Sequence, residues 1–294
     1  MAVYTTDTGA DCLNQSAHYT FVLALAYHMT GDLAYANKAA AIIRSWYTTL
    51  ISIDAADRQT QLDWSRWMPA MIWGADLLEG TPAWTRADRQ QFSAMLVNKV
   101  LIKGQQAATH TNNWADAGNV LRLTVALYAN LPAERAAATA SWRLKLDGVQ
   151  VGGVWSHGML GDGSLADEDG RDVDGLRYNQ VALSSKTVFA EITRRQGDGS
   201  LYSYKTPRGV GLKNGWDFLA SQVVSTYQGV CRWPYTADRC VEYSNKSGWE
   251  LACAHWHNPA YLGPIGLARP YGWSDWSDPS YSTLLFSNMG IQRL

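Results

Sequence analysis

The sequence predicts an all-α fold, an incomplete (α/α) toroid or barrel built from helical hairpins. Three observations favour this fold class. Apolar residues recur at helical spacing along most of the chain, clear strand alternation is scarce, and Gly and Pro separate segments of helix length. No linker-like stretch interrupts the 294 residues, so we expect residues 1–294 to form one domain.

The predicted helices come in pairs along the chain. The first pair is HYTFVLALAYHMTGD and LAYANKAAAIIRSWYTTL, with a turn at Gly31. The second is DWSRWMPAMIWGADLLEG and TRADRQQFSAMLVNKVLI, separated by Gly80 and Pro82. The third is NNWADAGNVLRLTVALYANL and PAERAAATASWRLKLDGV, which break at Pro132. Another helix is predicted from Tyr178 to Arg195, and GWDFLASQVVSTY and WELACAHWH supply shorter pieces.

Repeated hairpins are also typical of solenoids of the tetratricopeptide kind. Those repeats have a fixed period of about 34 residues, which this sequence lacks. The toroid is therefore the favoured architecture, and the solenoid is the alternative.

Composition limits the classes of function. The net charge is −1, so we expect neither a nucleic acid nor a membrane surface as partner. No apolar run reaches the length of about 20 residues that spans a bilayer. The first residues, MAVYTTDTGAD, lack the basic and apolar regions of a secretory leader, so we expect such a leader to be absent or already removed. The 14 Trp and 15 Tyr against 5 Phe favour half-wet aromatic surfaces of the kind found in sugar-binding clefts, although many of these rings fill cores.

The four cysteines do not have the spacing of a zinc site. Cys231 and Cys240 bracket a turn-rich segment that a disulfide could close in an oxidising compartment. Whether they form one stays open. Cys12 and Cys253 are expected to be buried free thiols.

One segment, GRDVDGLRYNQVAL, places Arg171, Gly175 and Tyr178 at the expected start of a helix. Gly175 would let the chain turn so that Arg171 folds back toward the tyrosine ring. A nearby positive charge and a helix N-terminus both favour an anionic phenol. The alternative is a surface ion pair between Arg171 and Asp167, Asp169 or Asp174.

Four stretches together resemble the alginate-lyase-like polysaccharide lyases. They are ADCLNQSAHYTFVLALAYHMTGDLAYANKAAAIIRSWYTTL, TNNWADAGNVLRLTVALY, DGSLADEDGRDVDGLRYNQVALSSKTVFAEITRRQG and GWELACAHWHN, and they occur in the order expected for the family. The second resembles the family's Asn-Asn-His motif and the third its Arg-then-Tyr segment. The chain is short for the family, and we expect the difference to lie at the N-terminus, as in a compact, phage-borne or truncated member.

The resemblance implies β-elimination on a uronic-acid polymer, with no cofactor and no metal. A base removes the C5 proton, an acid protonates the bridging oxygen, and the site neutralises the neighbouring carboxylate. By resemblance, Tyr178 is the base and also serves as the acid. Arg171 and Asn113 are the other catalytic residues, although Asn113 could equally cap the following helix.

The sequence departs from the family pattern at two positions. Trp114 stands where the family motif has histidine, and Arg177 stands where a histidine often precedes the tyrosine. Either Arg171 and Arg177 neutralise the carboxylate, or another histidine does. The full set of expected substrate-binding residues is Asn112, Trp114, Arg177, His110, His157, Tyr19, Trp64, His255 and His257. Tyr19 and Trp64 could stack on sugar or pack in the core.

A tyrosine that is both base and acid works on one face of the sugar, which is syn elimination. This geometry suits mannuronate and glucuronate, so we expect a mannuronan, alginate or glucuronan substrate. Such an anionic polysaccharide is the one expected partner, the chain is expected to be monomeric, and its expected place is extracellular or periplasmic.

Two other functions stay open at this level. An (α/α)-barrel glycoside hydrolase would use two carboxylates, with Asp116, Glu168 and Asp169 as candidates. A non-catalytic protein that binds acidic glycans would explain Trp114 in place of histidine. The acidic run from Asp162 to Asp174 lacks the spacing of a calcium loop, and we expect a solvated loop that pairs with Arg171 and Arg177.

Overall fold

The computed structural model describes residues 2–171, 174–227, 247–272, 274 and 276–286. Cys231 and Cys240, the two cysteines that a disulfide could join, lie outside the described residues. Two compact units are distinguished. The first comprises Met1–Thr109, Ala117–Thr139 and Asp275–Ser277, and the second comprises His110–Asp116, Ala140–Ser274 and Asp278–Leu294. The expectation of a single domain stays a prediction.

Most elements of the first unit are helices. In chain order they are α1 Thr6–Thr30, α2 Leu33–Thr49, α3 Gln59–Leu77, α4 Arg86–Met95, a π-helical turn Leu96–Val100, and α5 Leu101–Ala107. Helices α6 Asn113–Tyr128 and α7 Pro132–Asp147 follow and contribute residues to both units. Two short strands, β1 Ala2–Tyr4 and β2 Leu50–Ile53, pair in parallel.

Local sequence signals explain where these helices begin and end. The Thr5 side chain accepts from the Thr8 N–H at the start of α1, and α1 ends at Gly31, whose φ of 73° is left-handed. A capping box between Thr85 and Asp88 opens α4. The predicted stop at Gly31 is confirmed, but α1 begins at Thr6 rather than near His18. Its N-terminal half is mostly polar, and of residues 6–17 only Leu13 and Ala17 are buried, so it carries little hydrophobic periodicity.

The core of the first unit lies where α1 packs against α3 and α2. Helix α3 buries a continuous apolar surface that includes Trp64, Met68 and Met71. At Gly74 the two backbones approach so closely that a Cβ would lie 2.7 Å from Thr20 Cγ2 and 2.9 Å from the Thr20 carbonyl carbon. Glycine is therefore required there for α1 and α3 to pack.

The second unit is organised around one long helix. Its elements are the hairpin β3 Val149–Val151 and β4 Val154–Ser156, then α8 Ala166–Asp169, α9 Gly175–Arg195, α10 Ser200–Ser203, α11 Leu212–Tyr227, α12 Gly248–Trp256, a 3-10 turn Pro259–Tyr261, α13 Leu262–Ala268 and α14 Ser282–Phe286. Helix α9 is buried along most of its length and contacts α8, α10, α11 and α12. The first turn of α9 therefore belongs to a helix that is packed against four neighbouring helices.

The two described free cysteines differ in burial. Cys253 is buried, as expected, but Cys12 is exposed on α1. The expectation for Cys12 was wrong, because its helix begins earlier than predicted and presents this face to solvent.

Among the helices of the described ranges, none has both the length and the apolar character needed to cross a bilayer.

Candidate active site

Tyr178 lies in the first turn of α9. That helix begins at Gly175 rather than at Tyr178 itself, so the glycine has a helical backbone and is not the hinge that we expected. The Tyr178 ring is half-buried. Its hydroxyl makes no hydrogen bond to any residue that the structure describes. The phenol oxygen is therefore left for another partner.

Arg171 connects three groups. Its guanidinium carbon lies 4.2 Å from the centroid of the Tyr178 ring, so the cation rests on the ring face. Its Nε is 2.9 Å from Glu168 Oε2, but that N–H does not point at the oxygen, so the contact is ionic rather than a hydrogen bond. Its Nη2 is 3.4 Å from Asn113 Oδ1. The ion-pair partner of Arg171 is thus the buried Glu168, and not Asp167, Asp169 or Asp174.

Asn113 is the first residue of α6 and is only 1% exposed. Its backbone N–H donates to Glu168 Oε1 at 2.6 Å, and its side-chain oxygen faces Arg171. Within the described ranges, no group accepts a hydrogen bond from Asn113 Nδ2. The preceding Asn112 accepts from the Trp114 N–H at 3.2 Å, so Asn112 caps α6. The Asn113 side chain is therefore not used as the cap, and it belongs to a cluster with Glu168, Arg171 and Tyr178.

Glu168 contacts both Arg171 and Asn113, a position that we did not expect from the sequence. It is 1% exposed on α8. Burial raises its pKa to about 8, and Asp116 acts in the same direction, while Arg171, the Asn113 N–H and Lys186 lower it. Its spacing of three residues from Arg171 is typical of an ion pair and was the only sequence signal available.

The carboxylates considered for a glycoside hydrolase are all engaged in the protein. Asp116 is buried and accepts from the Lys186 ammonium, and burial raises its pKa despite that partner. Asp169 accepts from Asn179 Nδ2 at 2.8 Å. With Glu168 enclosed as well, these three residues do not supply the acid and base that flank a glycosidic bond.

The acidic run pairs with Arg171 through Glu168, as expected, but it is not the solvated loop that we expected. Asp167, Glu168 and Asp169 form α8, and the run buries Glu168 under Arg171. Asp162 accepts from the Ser164 N–H and hydroxyl. In the described part of the chain, no three His, Cys, Asp or Glu side chains are arranged to hold a metal ion.

The departures from the family motif lie beside this cluster in sequence. The ring centroids of His110 and Trp114 are 4.8 Å apart, and both residues are half-buried. Arg177 is exposed, with its guanidinium carbon 5.8 Å from the Tyr178 ring centroid. The structure therefore brings a histidine against the tryptophan that occupies the motif position, and a second arginine to the tyrosine.

His157 and the two C-terminal histidines have different surroundings. His157 Nδ1 is 2.5 Å from Asp167 Oδ1, which places the imidazole against α8, next to Glu168 in sequence. His255 stacks on Tyr202 with centroids 3.7 Å apart, and the Tyr202 hydroxyl donates to Glu191 at 3.2 Å. From Tyr178 to Glu191 the helix α9 rises about 20 Å, so the structure does not bring His255 to the tyrosine.

His257 and the two aromatic candidates of the first unit complete the set. His257 is exposed in the left-handed position that ends α12, with φ 51°. Tyr19 is 51% exposed on α1. Trp64 is fully buried, with edge-on contacts to Tyr4 and Trp46 at 5.1 and 5.7 Å. Of the two roles left open for Trp64, the structure shows packing in the core, and the substrate-binding role is wrong, because no face of its ring is open.

Comparisons with known proteins agree with the resemblance drawn from the sequence. A family model described as Alginate lyase matches residues 7–227. A crystal structure of an alginate lyase from Bacteroides ovatus has a TM-score of 0.71 at 16% identity, over 95% of this chain and 75% of that chain. Among curated proteins, no sequence matches.

Alginate lyase A1-III from Sphingomonas species A1 has a TM-score of 0.72 at 16% identity, over 93% of this chain and 76% of that chain. A histidine-to-alanine variant of alginate lyase A1-III, complexed with a tetrasaccharide, has a TM-score of 0.69 at 16% identity, over 97% and 82% of the two chains. The predicted all-α (α/α) toroid is the fold of such enzymes and is confirmed, and the solenoid is not supported. Because the family model covers most of the chain, the protein belongs to the alginate lyase family and is a polysaccharide lyase.

Proposed function

We propose that this polysaccharide lyase cleaves a uronic-acid polymer by β-elimination at Tyr178. In this reaction a base removes the proton at C5, the bond from C4 to the bridging oxygen breaks, and that oxygen takes up a proton. The electron pair left at C5 forms the C4–C5 double bond. No water is consumed, and the new chain end is an unsaturated uronate.

The difficult step is the removal of a proton from the carbon next to a carboxylate. Negative charge builds up on that carboxylate as the proton leaves, so cations and hydrogen-bond donors must already be in place. Arg171 supplies the cation, and Asn113 Nδ2 supplies a donor with no partner in the described part of the chain. The arrangement of these two groups with Tyr178 is the observation that supports the proposal most.

Tyr178 serves as both base and acid. A phenolate at this position would take the C5 proton, and the same hydroxyl would then donate to the leaving oxygen. Arg171 over the ring attracts the negative charge that the ring carries in between. With one residue in both roles the two transfers take place on one face of the sugar, so we infer syn elimination and a mannuronate or glucuronate unit at the cleaved bond.

The binding of the polymer draws on neighbouring side chains. Arg177 is exposed beside Tyr178 and would pair with a sugar carboxylate. His110, packed on Trp114, would take the neutralising role of the missing motif histidine. Structures of alginate lyase A1-III variants contain a bound tetrasaccharide, and by that likeness we infer that this chain also binds several sugar units.

The experiment is a panel of acidic polysaccharides that includes polymannuronate, polyguluronate, alginate and glucuronan. The native protein should produce near-ultraviolet absorbance from unsaturated ends, most strongly on a mannuronate or glucuronate polymer. Tyr178→Phe should lower kcat at least about 100-fold and leave polymer binding nearly intact. The matched control is Tyr204→Phe, which removes a half-buried hydroxyl bonded to Asp147. Turnover by Tyr178→Phe at the native rate would overturn the assignment.

A further inference from the structure

Glu168 makes two contacts that the proposed chemistry does not by itself require. Its Oε1 accepts from the Asn113 N–H at 2.6 Å, and its Oε2 lies 2.9 Å from Arg171 Nε. With 1% of its surface exposed, the carboxyl does not reach a bound polymer. It lies behind the two groups that would hold the substrate carboxylate, and it contacts both of them.

We propose that Glu168 is a positioning residue of the elimination, which fixes Arg171 and the first turn of α6 relative to each other beside Tyr178. The proposal rests on the function proposed above. A long arginine side chain has many rotamers, and contact with a ring face alone restrains it weakly. The carboxylate of Glu168 selects the rotamer in which the guanidinium faces Tyr178 and Asn113 together.

The sequence separation of the contacts supports this role. Glu168 and Arg171 are three residues apart at the end of α8, whereas Asn113 begins a helix that is 55 residues earlier in the chain. One carboxyl therefore joins a local arginine to a distant helix N-terminus, where the backbone N–H groups favour a negative charge. Misplacement of either group by about 1 Å would weaken the stabilisation of the developing charge and slow turnover about 100-fold.

The protonation of Glu168 makes this support depend on pH. The charged groups that face it are Arg171, Asp116 of α6 and Lys186 of α9, and burial with Asp116 outweighs the two cations to raise its pKa to about 8. Below that pH the carboxyl is protonated, and its ionic hold on Arg171 is lost. Above it the carboxylate is ionised and holds the guanidinium. Turnover should therefore rise as pH increases through this range.

The test compares Glu168→Gln with Glu191→Gln. Glu191 is a matched control, because it is a mostly buried carboxylate that accepts from two arginines on the same helix as Tyr178, near the opposite end. With alginate, or the polymer of the panel that the native protein cleaves best, kcat and KM are measured from pH 5.5 to 9.5. Above pH 8, Glu168→Gln should lower kcat about 10- to 100-fold and change KM little, and it should remove the rise of kcat near pH 8.

Glu168→Asp keeps a carboxylate on a shorter arm, so it should recover part of the rise with pH at reduced kcat. Glu191→Gln should keep the native kcat and pH profile. If Glu168→Gln and Glu168→Asp both keep the native kcat and pH profile while Tyr178→Phe is inactive, this inference is overturned and the proposed function stands. If Tyr178→Phe is fully active, the proposed function fails first, and this inference fails with it.

Discussion

Arg171 lies on the face of the Tyr178 ring, with 4.2 Å between the guanidinium carbon and the ring centroid. A cation at this position interacts with the whole π system and does not hydrogen-bond to the hydroxyl. The ring can therefore gain negative charge near a cation while its oxygen is left for a substrate proton. Replacement of Arg171 should therefore affect Tyr178, Glu168 and Asn113 together.

Replacement of Arg171 should damage turnover, binding and stability together. Arg171→Ala removes the cation from Tyr178 and from the substrate carboxylate, so kcat/KM should fall at least about 1000-fold. At pH 9, where Glu168 is ionised, it also leaves that buried carboxylate without its ionic partner, which should lower the free energy of unfolding by about 2 kcal/mol. Arg171→Lys keeps a positive charge, but a lysine ammonium cannot contact Tyr178, Glu168 and Asn113 together. The kcat/KM of this variant should therefore lie between those of the native protein and Arg171→Ala. Steady-state kinetics and urea unfolding measure both effects, and an unchanged rate in Arg171→Ala would remove this residue from the site.

The pair His110 and Trp114 permits a double-mutant test of the missing motif histidine. His110→Ala should lower kcat about tenfold in the native background, because one neutralising group is lost. Trp114→His restores the family residue, so His110→Ala should cost much less in that background. The kcat values of the native protein, the two single variants and the double variant give the coupling energy between positions 110 and 114. Equal effects of His110→Ala in both backgrounds would show that His110 does not substitute for the motif histidine.

Glu168 and Glu191 should affect stability with opposite dependence on pH. The folded pKa of Glu168, about 8, lies above its unfolded value, so its favourable contribution is present at low pH and is lost as pH rises toward 8. Burial disfavours the charged form of Glu191, but hydrogen bonds from Arg194 and Arg195 outweigh it and lower its pKa. Its contribution is therefore present near neutral pH and is lost in acid.

Urea unfolding across pH 4 to 9 separates the two carboxyls. Glu168→Gln should flatten the decline in the free energy of unfolding between about pH 5 and 8, by on the order of 3 kcal/mol. Glu191→Gln should leave that decline in place and reduce stability most at neutral pH. A decline that persists unchanged in Glu168→Gln would assign it to another group.

The buried pair of Asp116 and Lys186 should be coupled. Each side chain is 3% exposed, so removing one partner leaves an uncompensated charge in the interior. Lys186→Met should therefore destabilise the fold by about 3–5 kcal/mol, and adding Asp116→Asn should recover part of this loss. Thermal and urea unfolding of the two single variants and the double variant give the coupling energy. Strict additivity would mean that the pair does not interact in the folded protein.

Replacing Tyr19 and replacing Trp64 should have different effects, one on polymer binding and the other on the packing of the core. Trp64→Ala should lower stability by about 3–5 kcal/mol, since it removes a fully buried ring. Tyr19→Ala should change stability by less than about 0.5 kcal/mol and raise KM if its exposed ring contacts the polymer. Urea unfolding and steady-state kinetics are measured on both variants. An unaltered KM in Tyr19→Ala would show that Tyr19 does not contact the polymer.

The helices were predictable because their signals are local. Gly31, Thr85 and Pro132 mark helix boundaries through a left-handed stop, a capping box and a fixed φ. The start of α1 was missed, because its first turns are polar and make little use of apolar periodicity. Aromatic composition did not reveal which face Trp64 presents, since burial is decided by the packing of α3.

The candidate site was predictable only in part, for the same physical reason. Arg171 and Tyr178 come from one short segment, so a resemblance in that segment was enough to suggest them. The contact between Glu168 and Asn113 spans 55 residues, and that between Lys186 and Asp116 spans 70. Such pairings depend on how helices assemble, and no local pattern in the sequence records them.

Glu168, Arg171 and Tyr178 follow one another within 11 residues of the sequence, and this closeness restricts how the segment can change in length. Tyr178 sits in the first turn of α9, where one deleted residue would swing its ring by about 100° around the helix axis. We therefore expect this chain to tolerate substitutions within the intervals Glu-x2-Arg-x6-Tyr better than insertions or deletions. A search for distant homologues should therefore use this spacing rather than overall similarity.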